Sequence, residues 1–203
     1  MTALVDSRPS RGATRVARVV TETLAPANLV IGLLVLVAWH SASSTAARLA
    51  WGLGAAAFAG GLPLAYLLRG ARQGRWEDHH VGERQKRPAV ILVILGSVLV
   101  GTVLMIATGA PRELVALLGA MVAGLLVTLA VTLVWKISVH AAVAGGTVVV
   151  LALVFGPALN VLWGLVGLVG WSRVALRDHT LAQVLGGTVA GGSVALVVFR
   201  LLR

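Results

Sequence analysis

The sequence lacks cysteine altogether and is poor in charged residues, and both absences restrict what the protein can be. Without cysteine there is no disulfide framework, no thiolate nucleophile and no thiolate metal site. Charged residues make up 12% of the 203 positions, whereas a soluble domain carries about 25%. Because 58% of the residues are hydrophobic and the mean hydropathy is +0.94, we expect lipid to surround most of the chain.

Aspartate and aromatic residues are also scarce, which excludes several functions. The only aspartates are Asp6, Asp78 and Asp178. No two have the spacing with which intramembrane prenyltransferases and CDP-alcohol transferases hold magnesium on a diphosphate. The Gly-x-Ser-Gly typical of an intramembrane serine protease does not occur. Aromatic residues make up 5% of the chain and form no stacking platform for bases, so the net charge of +10 does not indicate a nucleic-acid partner.

Seven hydrophobic segments follow one another from residue 24 onward, and several reach the roughly 20 residues that span a bilayer. They lie at 24–40, 49–68, 89–109, 114–135, 140–156, 158–171 and 179–202. The sequence therefore predicts an all-α fold, a polytopic transmembrane helical bundle of about six to seven spans. In this interpretation residues 24–203 form a single transmembrane domain. Residues 1–23 form a flexible, polar, basic arm that touches lipid headgroups.

Glycine and proline indicate how some of these segments meet. Gly156-Pro157 separates two short segments, which favours a tight hairpin, with a single long kinked helix as the alternative. Gly187 and Gly191 stand four residues apart in the last segment. This spacing permits close contact between membrane helices, so we expect the last helix to lie inside the bundle.

Three polar stretches, at residues 80–88, 136–140 and 172–183, interrupt the hydrophobic segments. Two predicted spans separate each stretch from the next, so all three emerge on one side of the membrane, together with the N-terminal arm. That side carries thirteen of the seventeen Lys and Arg residues. The positive-inside rule places it in the cytoplasm, and we expect a multi-pass protein of the inner (cell) membrane.

The polar stretches combine arginine, lysine and histidine, and these residue types suit the binding and cleavage of a phosphate ester. Arginine is permanently charged and binds phosphate oxygens through two parallel hydrogen bonds. A phosphate monoester carries about −1.5 to −2 charges near neutral pH, which two or three cations would balance. Histidine changes protonation near neutrality, so one imidazole can attack phosphorus while another protonates the leaving oxygen.

At these stretches the sequence resembles the type-2 phosphatidic acid phosphatases, a family that shares its site with vanadium haloperoxidases. Residues 172–179 (Ser-Arg, five residues, His) resemble the third signature of the family. Residues 138–140 (Ser-Val-His) resemble the second, Pro-Ser-Gly-His. Residues 80–88 resemble the first, which is Lys, six residues and Arg-Pro, but they begin with His80.

The resemblance implies a role for each matching residue. His179 would attack phosphorus to form a phosphohistidine that water then hydrolyses, and His140 would protonate the leaving alkoxide. The phosphate-binding residues would be Arg87, Arg173 and Ser138, with His80 at the position of the family's lysine. Lys136 is a further candidate for phosphate contact, because it adjoins the second signature. No metal and no other cofactor is implied, because the cations are side chains. The implied partners are the lipid bilayer and a lipid phosphate or diphosphate, with isoprenoid and glycerolipid compounds as candidates.

Gln183 departs from the family, which usually has an aspartate four residues after the nucleophilic histidine. An amide oxygen can orient the ring of His179 but cannot stabilise a developing imidazolium as a carboxylate does. The analogous loss in a serine-protease triad lowers the rate about 10⁴-fold, unless Asp178 or Asp78 compensates. Two alternatives therefore stay open: a weak or silent member that binds lipid phosphate as a scaffold or regulator, and a relative that transfers phosphate.

Other polar residues have simpler explanations. Residues 78–83 combine imidazole and carboxylate groups, but without further ligands elsewhere we do not expect a metal site there. Lys136 could extend its amine to the membrane surface without touching phosphate. His40 lies at a predicted membrane interface, where we expect no direct role.

Overall fold

The computed structural model of the chain describes residues 10–76 and 84–203, and its regular structure in these two ranges is entirely helical. The helices are α1 (Arg11–Thr23), α2 (Pro26–Ser41), α3 (Thr45–Ala56), α4 (Leu62–Arg72), α5 (Arg87–Ala107), α6 (Arg112–Val134), α7 (Val139–Phe155), α8 (Trp163–Ala175) and α9 (Leu181–Leu202). A π-helical segment, Ala57–Gly61, joins α3 to α4, and a 3₁₀ segment, Pro157–Leu162, precedes α8. The predicted fold class, an all-helical bundle, is confirmed.

Five helical stretches within the described ranges are long and apolar enough to cross a membrane. They are Thr45–Arg72, Arg87–Ala107, Arg112–Val134, Pro157–Ala175 and Leu181–Leu202. A sixth results if α1 and α2, which meet at a bend of 41°, are counted as one span. Helix α7 is apolar but shorter, at 17 residues. Each of the seven predicted hydrophobic segments thus contains helix, while length and composition support five or six spans.

The Gly156-Pro157 pair forms a turn. Helix α7 ends at Phe155, and Gly156 has a φ of +111°, a backbone conformation that residues with a Cβ rarely adopt. Pro157 then begins the 3₁₀ segment that leads into α8, and both elements pack back against α7. Of the two alternatives, the hairpin is therefore correct and the single kinked helix is not.

Residues 11–23 form the helix α1, whereas the sequence predicted a flexible arm there. Arg11, Arg15 and Arg18 are exposed, while Ala17 and Thr21 are buried against the rest of the protein. The helix packs on α8. Its arginines repeat every three to four residues, so they share one side of the helix and leave the small residues for packing. A helical period was therefore present in a stretch whose composition suggested disorder.

Helix α9 packs against α6, α7 and α8, but apolar residues such as Leu185, Val189 and Val197 are exposed. The prediction that the last helix lies inside the bundle is therefore wrong, although one side of the helix packs closely. Its glycines allow the closest of these approaches. A Cβ at Gly187 would collide with the carbonyl oxygen of Ser138, and one at Gly191 would collide with the carbonyl oxygen of Ala142. Because these carbonyls belong to the start of α7, the glycines of α9 set the position of the residues that open α7.

We expect Gly191→Ala to destabilise the protein by about 1–3 kcal/mol or more. The added methyl group would collide with backbone atoms of Ala142, which cannot move aside as a flexible side chain can. Thermal unfolding in detergent measures the effect. Gly96→Ala in α5 is the matched control, since a Cβ at Gly96 meets nothing within 4 Å, and it should leave the unfolding temperature unchanged or slightly raised. Equal stability of Gly191→Ala and the wild type would show that α7 and α9 pack less closely than described.

Candidate functional site

Four of the predicted site residues line one cavity, although they come from distant parts of the chain. Arg87 begins α5, and His140 is the second residue of α7. Arg173 lies in the last turn of α8, and His179 precedes the cap of α9. All four side chains are buried. Two permanently charged guanidinium groups and two imidazoles thus meet in a site largely shielded from solvent.

Hydrogen bonds to backbone carbonyl oxygens connect the elements that carry these residues. Arg87 donates from Nη1 to the carbonyl oxygen of Ile137 at 3.2 Å, which ties α5 to the connection between α6 and α7. The N–H of Ser138 donates to the carbonyl oxygen of Gln183 at 3.1 Å, which ties the same connection to α9. The first, second and third polar stretches are therefore held together at one end of the bundle.

The opposite end of the bundle holds a separate set of charges. Arg203 pairs with Glu113 at 2.9 Å, and Arg112 donates to the carbonyl oxygen of Leu202 at 3.0 Å. His40 lies 4.0 Å from Glu113 and contacts the ring of Phe155, which ends α7. Since His140 lies in the first turn of α7 and Phe155 ends the helix, His40 is remote from the cavity residues.

Gln183 fixes the tautomer of His179. The Oε1 atom of Gln183 accepts the N–H of Thr180 at 3.1 Å, as part of the capping box that begins α9. The same oxygen lies 3.1 Å from Nδ1 of His179. Because an amide oxygen only accepts hydrogen bonds, Nδ1 carries the hydrogen and Nε2 keeps its lone pair. The neutral ring is thus prepared with one basic nitrogen.

The pKa of His179 is lowered to about 4. Burial is the largest cause, and the positive charges of Arg87, Lys136 and Arg173 act in the same direction, whereas the hydrogen bond with Gln183 raises the pKa. Near neutral pH the imidazole is therefore uncharged. Burial and the charge of Arg87 likewise lower the pKa of Lys136.

Arg173 forms an ion pair with Asp178, with Nη2 and Oδ2 2.8 Å apart. The turn after α8 produces this pair: Arg177 adopts a φ of +59°, and the N–H of Asp178 donates to the carbonyl oxygen of Arg173 at 3.1 Å. A left-handed conformation at a residue other than glycine costs about 1–2 kcal/mol. Asp178 thus pairs with the charge of Arg173. The side chain that contacts His179 is that of Gln183.

The remaining predicted residues lie beside the cavity or outside the described ranges. Ser138 is completely buried, and its Oγ accepts the N–H of Ala141 at 3.3 Å as the cap of α7. Lys136 is half-buried and does not line the cavity, but its charge influences His179. Gln183 contacts His179 as described above. His80, together with residues 78 and 79, lies outside the described residues.

Thr21 belongs to the site, and the sequence interpretation missed it. Its Oγ1 accepts a hydrogen bond from Nη1 of Arg173 at 3.3 Å and lies 3.0 Å from Oγ of Ser172. Thr21 lies about 150 positions before Ser172 and Arg173 in the sequence. No short sequence motif could therefore connect them. The available signal was a polar residue on the apolar side of α1.

The cavity continues from the polar end into the centre of the bundle and has a volume of about 500 Å³. Besides the four residues above, the polar residues that line it are Glu22, Asn28, Thr128 and Thr147. The rest of its walls are apolar and come from several helices, as with Leu33, Val98, Leu117, Met121 and Ala195. This volume lies within the range of about 300–1,000 Å³ typical of small-molecule sites. The shape suits a ligand that has an anionic head and an apolar tail.

No group of three or more His, Asp or Glu side chains suited to a metal ion occurs within residues 10–76 and 84–203. The alternative interpretation of residues 78–83 as a metal cluster falls outside those ranges. The cationic side chains around the cavity instead form a site complementary to an anion.

Replacing Asp178 with asparagine is expected to strengthen the binding of orthovanadate, a phosphate analogue, by about three- to tenfold. The carboxylate competes with the anion for Arg173 and repels it, and asparagine removes that charge at almost constant volume. Isothermal titration calorimetry on the detergent-solubilised protein gives the dissociation constant. Asp178→Glu keeps the charge and serves as the control. Weaker binding by Asp178→Asn would mean that the carboxylate acts mainly by holding Arg173.

These features define a class: an integral membrane protein of helical architecture, with a buried Arg- and His-containing anion site at the end of an apolar cavity. A comparison with protein families agrees with this class, because residues 135–203 match the PAP2 superfamily. This match to the C-terminal part of the chain supports assignment to the type-2 phosphatidic acid phosphatase family, as its motifs indicated.

The matched range covers roughly the C-terminal third of the chain and includes His140, Arg173 and His179, whereas Arg87 lies before it. A search of curated proteins and a search of solved structures return no significant match. The family supports a phosphatase-type function on lipid phosphates in general.

Proposed function

We propose that this protein hydrolyses a lipid phosphate at the cavity, through a phosphohistidine intermediate on His179. The observation that carries the proposal is the meeting of Arg87, His140, Arg173 and His179 around one cavity. The N-termini of α5, α7 and α9 also adjoin this site. Helix N-termini carry partial positive charge, so they add to the attraction for a phosphate.

The two guanidinium groups would bind the non-bridging oxygens and balance the charge that develops in the transition state. Nε2 of His179 forms a bond to phosphorus while the bond from phosphorus to the lipid oxygen breaks. His140 gives its proton to that oxygen, and the lipid alcohol leaves. Water then attacks phosphorus, the N–P bond breaks, and the proton lost by water returns to His140.

The bound anion would also alter the protonation of the site. In its absence, burial and the surrounding cations keep the pKa of His179 near 4, so the nucleophile is uncharged at neutral pH. A phosphate dianion among these cations favours protonation of a nearby imidazole, as the general acid requires. Substrate would thus help His140 acquire its proton.

The apolar walls of the cavity support a substrate with a long hydrocarbon tail, such as a polyprenyl or glycerolipid phosphate or diphosphate. We favour polyprenyl compounds slightly, although no residue of the chain selects them. The excess of Lys and Arg on the side of the three polar stretches supports a site at the cytoplasmic face of the inner membrane.

Release of inorganic phosphate from a panel of lipids tests the proposal. The detergent-solubilised full-length protein is given polyprenyl phosphate, polyprenyl diphosphate, phosphatidate and lysophosphatidate, with glycerol 3-phosphate as the water-soluble control. We expect release from at least one lipid, inhibition by orthovanadate and little release from glycerol 3-phosphate. Binding of vanadate without release from any lipid would contradict the hydrolytic function.

Gln183 favours a second candidate, a protein that binds lipid phosphate without rapid turnover. Its amide oxygen holds His179 at 3.1 Å but carries no charge to stabilise an imidazolium. A protein of this kind would act as a scaffold or regulator, and transfer of phosphate to an acceptor other than water is a related possibility. Release of phosphate in the panel above, together with its dependence on Gln183, separates these functions.

A further inference from the structure

Helix α1 reaches the anion site through one hydroxyl group. Thr21 lies in its last turn and is 2% exposed. Nη1 of Arg173 donates to its Oγ1 at 3.3 Å, and Oγ of Ser172 lies 3.0 Å from the same atom. Ser172 and Arg173 are themselves buried. Helix α1 lies outside residues 135–203, the range that matches the family. It nevertheless contacts the guanidinium group of Arg173 at the cavity.

The hydrogens of this cluster can be assigned from its partners. Oγ of Ser172 donates its single hydrogen to the carbonyl oxygen of Val169 at 2.7 Å. The hydrogen between Thr21 and Ser172 must then come from Thr21. The lone pairs of Thr21 are left for Arg173. A continuous chain of donors thus runs from Arg173 through Thr21 and Ser172 to the backbone of α8.

The position of Thr21 is also determined on its own side. Asn28, in the first turn of α2, donates from Nδ2 to the carbonyl oxygens of Glu22 at 2.9 Å and Thr23 at 3.2 Å. These carbonyls lie in the last turn of α1, where carbonyls lack the usual helical partner four residues on, although that of Glu22 also accepts the N–H of Ala25 at 3.4 Å. The side chain of Asn28 thereby supports the 41° bend between α1 and α2. Packing of the buried Ala17 side of α1 on α8 completes the support.

We propose that Thr21 is a positioning residue for the anion site and holds the guanidinium of Arg173 in the orientation that binds phosphate. Arg173 has a planar set of donors, and bidentate binding of an anion depends on the rotation of that plane. Asp178 constrains the plane from the exposed side, since it is 45% exposed. Thr21 constrains it from the buried side, and an incoming anion does not displace it. This proposal rests on the proposed anion site.

Thr21→Val and Thr21→Ser test the proposal by equilibrium binding of orthovanadate to the detergent-solubilised full-length protein. Valine keeps the shape of threonine and removes the hydroxyl, so we expect the dissociation constant to rise about five- to twentyfold. Serine keeps the hydroxyl and should bind within about twofold of the wild type. Thermal unfolding of each variant monitors the stability of the fold.

The same substitution in an Arg173→Lys background distinguishes positioning from packing. Lysine is a point charge without a plane to orient, so Thr21→Val should change vanadate binding less than about twofold there. An equal loss in both backgrounds would overturn the proposal, because the effect would then arise from packing. An unchanged dissociation constant for Thr21→Val in the wild-type background would overturn it as well.

Binding and turnover separate this proposal from the proposed function. If the wild type binds vanadate but releases no phosphate from any lipid, hydrolysis fails while Thr21 is still tested by binding. If the wild type hydrolyses lipid phosphate and Thr21→Val binds and reacts normally, the role of Thr21 fails alone. Absence of vanadate binding by the wild type would overturn both.

Discussion

His179→Ala is expected to lower phosphate release by about 10⁴-fold or more, to the level of the uncatalysed background in the assay. Loss of a nucleophile removes the covalent pathway, and in one serine protease it reduces kcat by about 10⁶. The fold should survive, because the capping box of Thr180 and Gln183 that begins α9 does not require the imidazole. Initial rates on the best lipid of the panel measure the effect.

His40→Ala is the matched control, since this histidine lies at the opposite end of α7 from His140 and should keep the wild-type rate. Vanadate binding by His179→Ala should persist in weakened form, because Arg87 and Arg173 still line the cavity. Arg173→Ala should lose both binding and turnover. Full activity in His179→Ala and Arg173→Ala would show that catalysis occurs elsewhere.

Gln183→Glu is expected to raise the rate by at least about tenfold at alkaline pH, toward the 10⁴-fold that a carboxylate contributes in the serine-protease triad. Glutamate has the same length and keeps an oxygen for the N–H of Thr180, so the capping box of α9 is retained. The new charge would lie where Oε1 now stands, 3.1 Å from Nδ1 of His179. There it stabilises the imidazolium that forms during attack on phosphorus.

The pH profile of kcat/KM gives a second result for this variant. In the wild type the pKa of His179 is about 4, and the nucleophile must be unprotonated, so this residue limits activity only as the pH falls toward 4. A carboxylate raises that pKa. The acidic limb of Gln183→Glu should therefore move to higher pH, even though the rate above the limb increases.

Gln183→Asp is the informative comparison, because it restores the residue type usual in the family with a shorter side chain. A gain in both variants would identify a weakened catalyst. No hydrolysis in either form, with vanadate binding retained, would favour the binding protein over the enzyme. A wild-type pH profile in Gln183→Glu would contradict the contact between residues 179 and 183.

The sequence alone was sufficient to predict the class, the hairpin and the candidate residues. Hydropathy predicted a helical membrane bundle, since a chain in lipid must satisfy its backbone within helices. The chemistry of arginine and histidine, together with the resemblance of residues 172–179 to a family signature, predicted a phosphate site. Gly187 and Gly191 predicted close packing of the last helix, and the structure places backbone of α7 against both. Each of these signals is local in the sequence.

Tertiary structure decided what local signals do not contain. The contacts of Ser138, Asp178 and Gln183 join residues three to five positions apart, and the sequence already predicted that Gln183 orients His179. Thr21 is different, because it lies about 150 positions from Arg173 and Ser172. The arginine-rich stretch that carries Thr21 folds as helix α1 and packs on α8. A polar side chain has several possible partners, and only this packing of distant helices brings Thr21 within about 3 Å of the site.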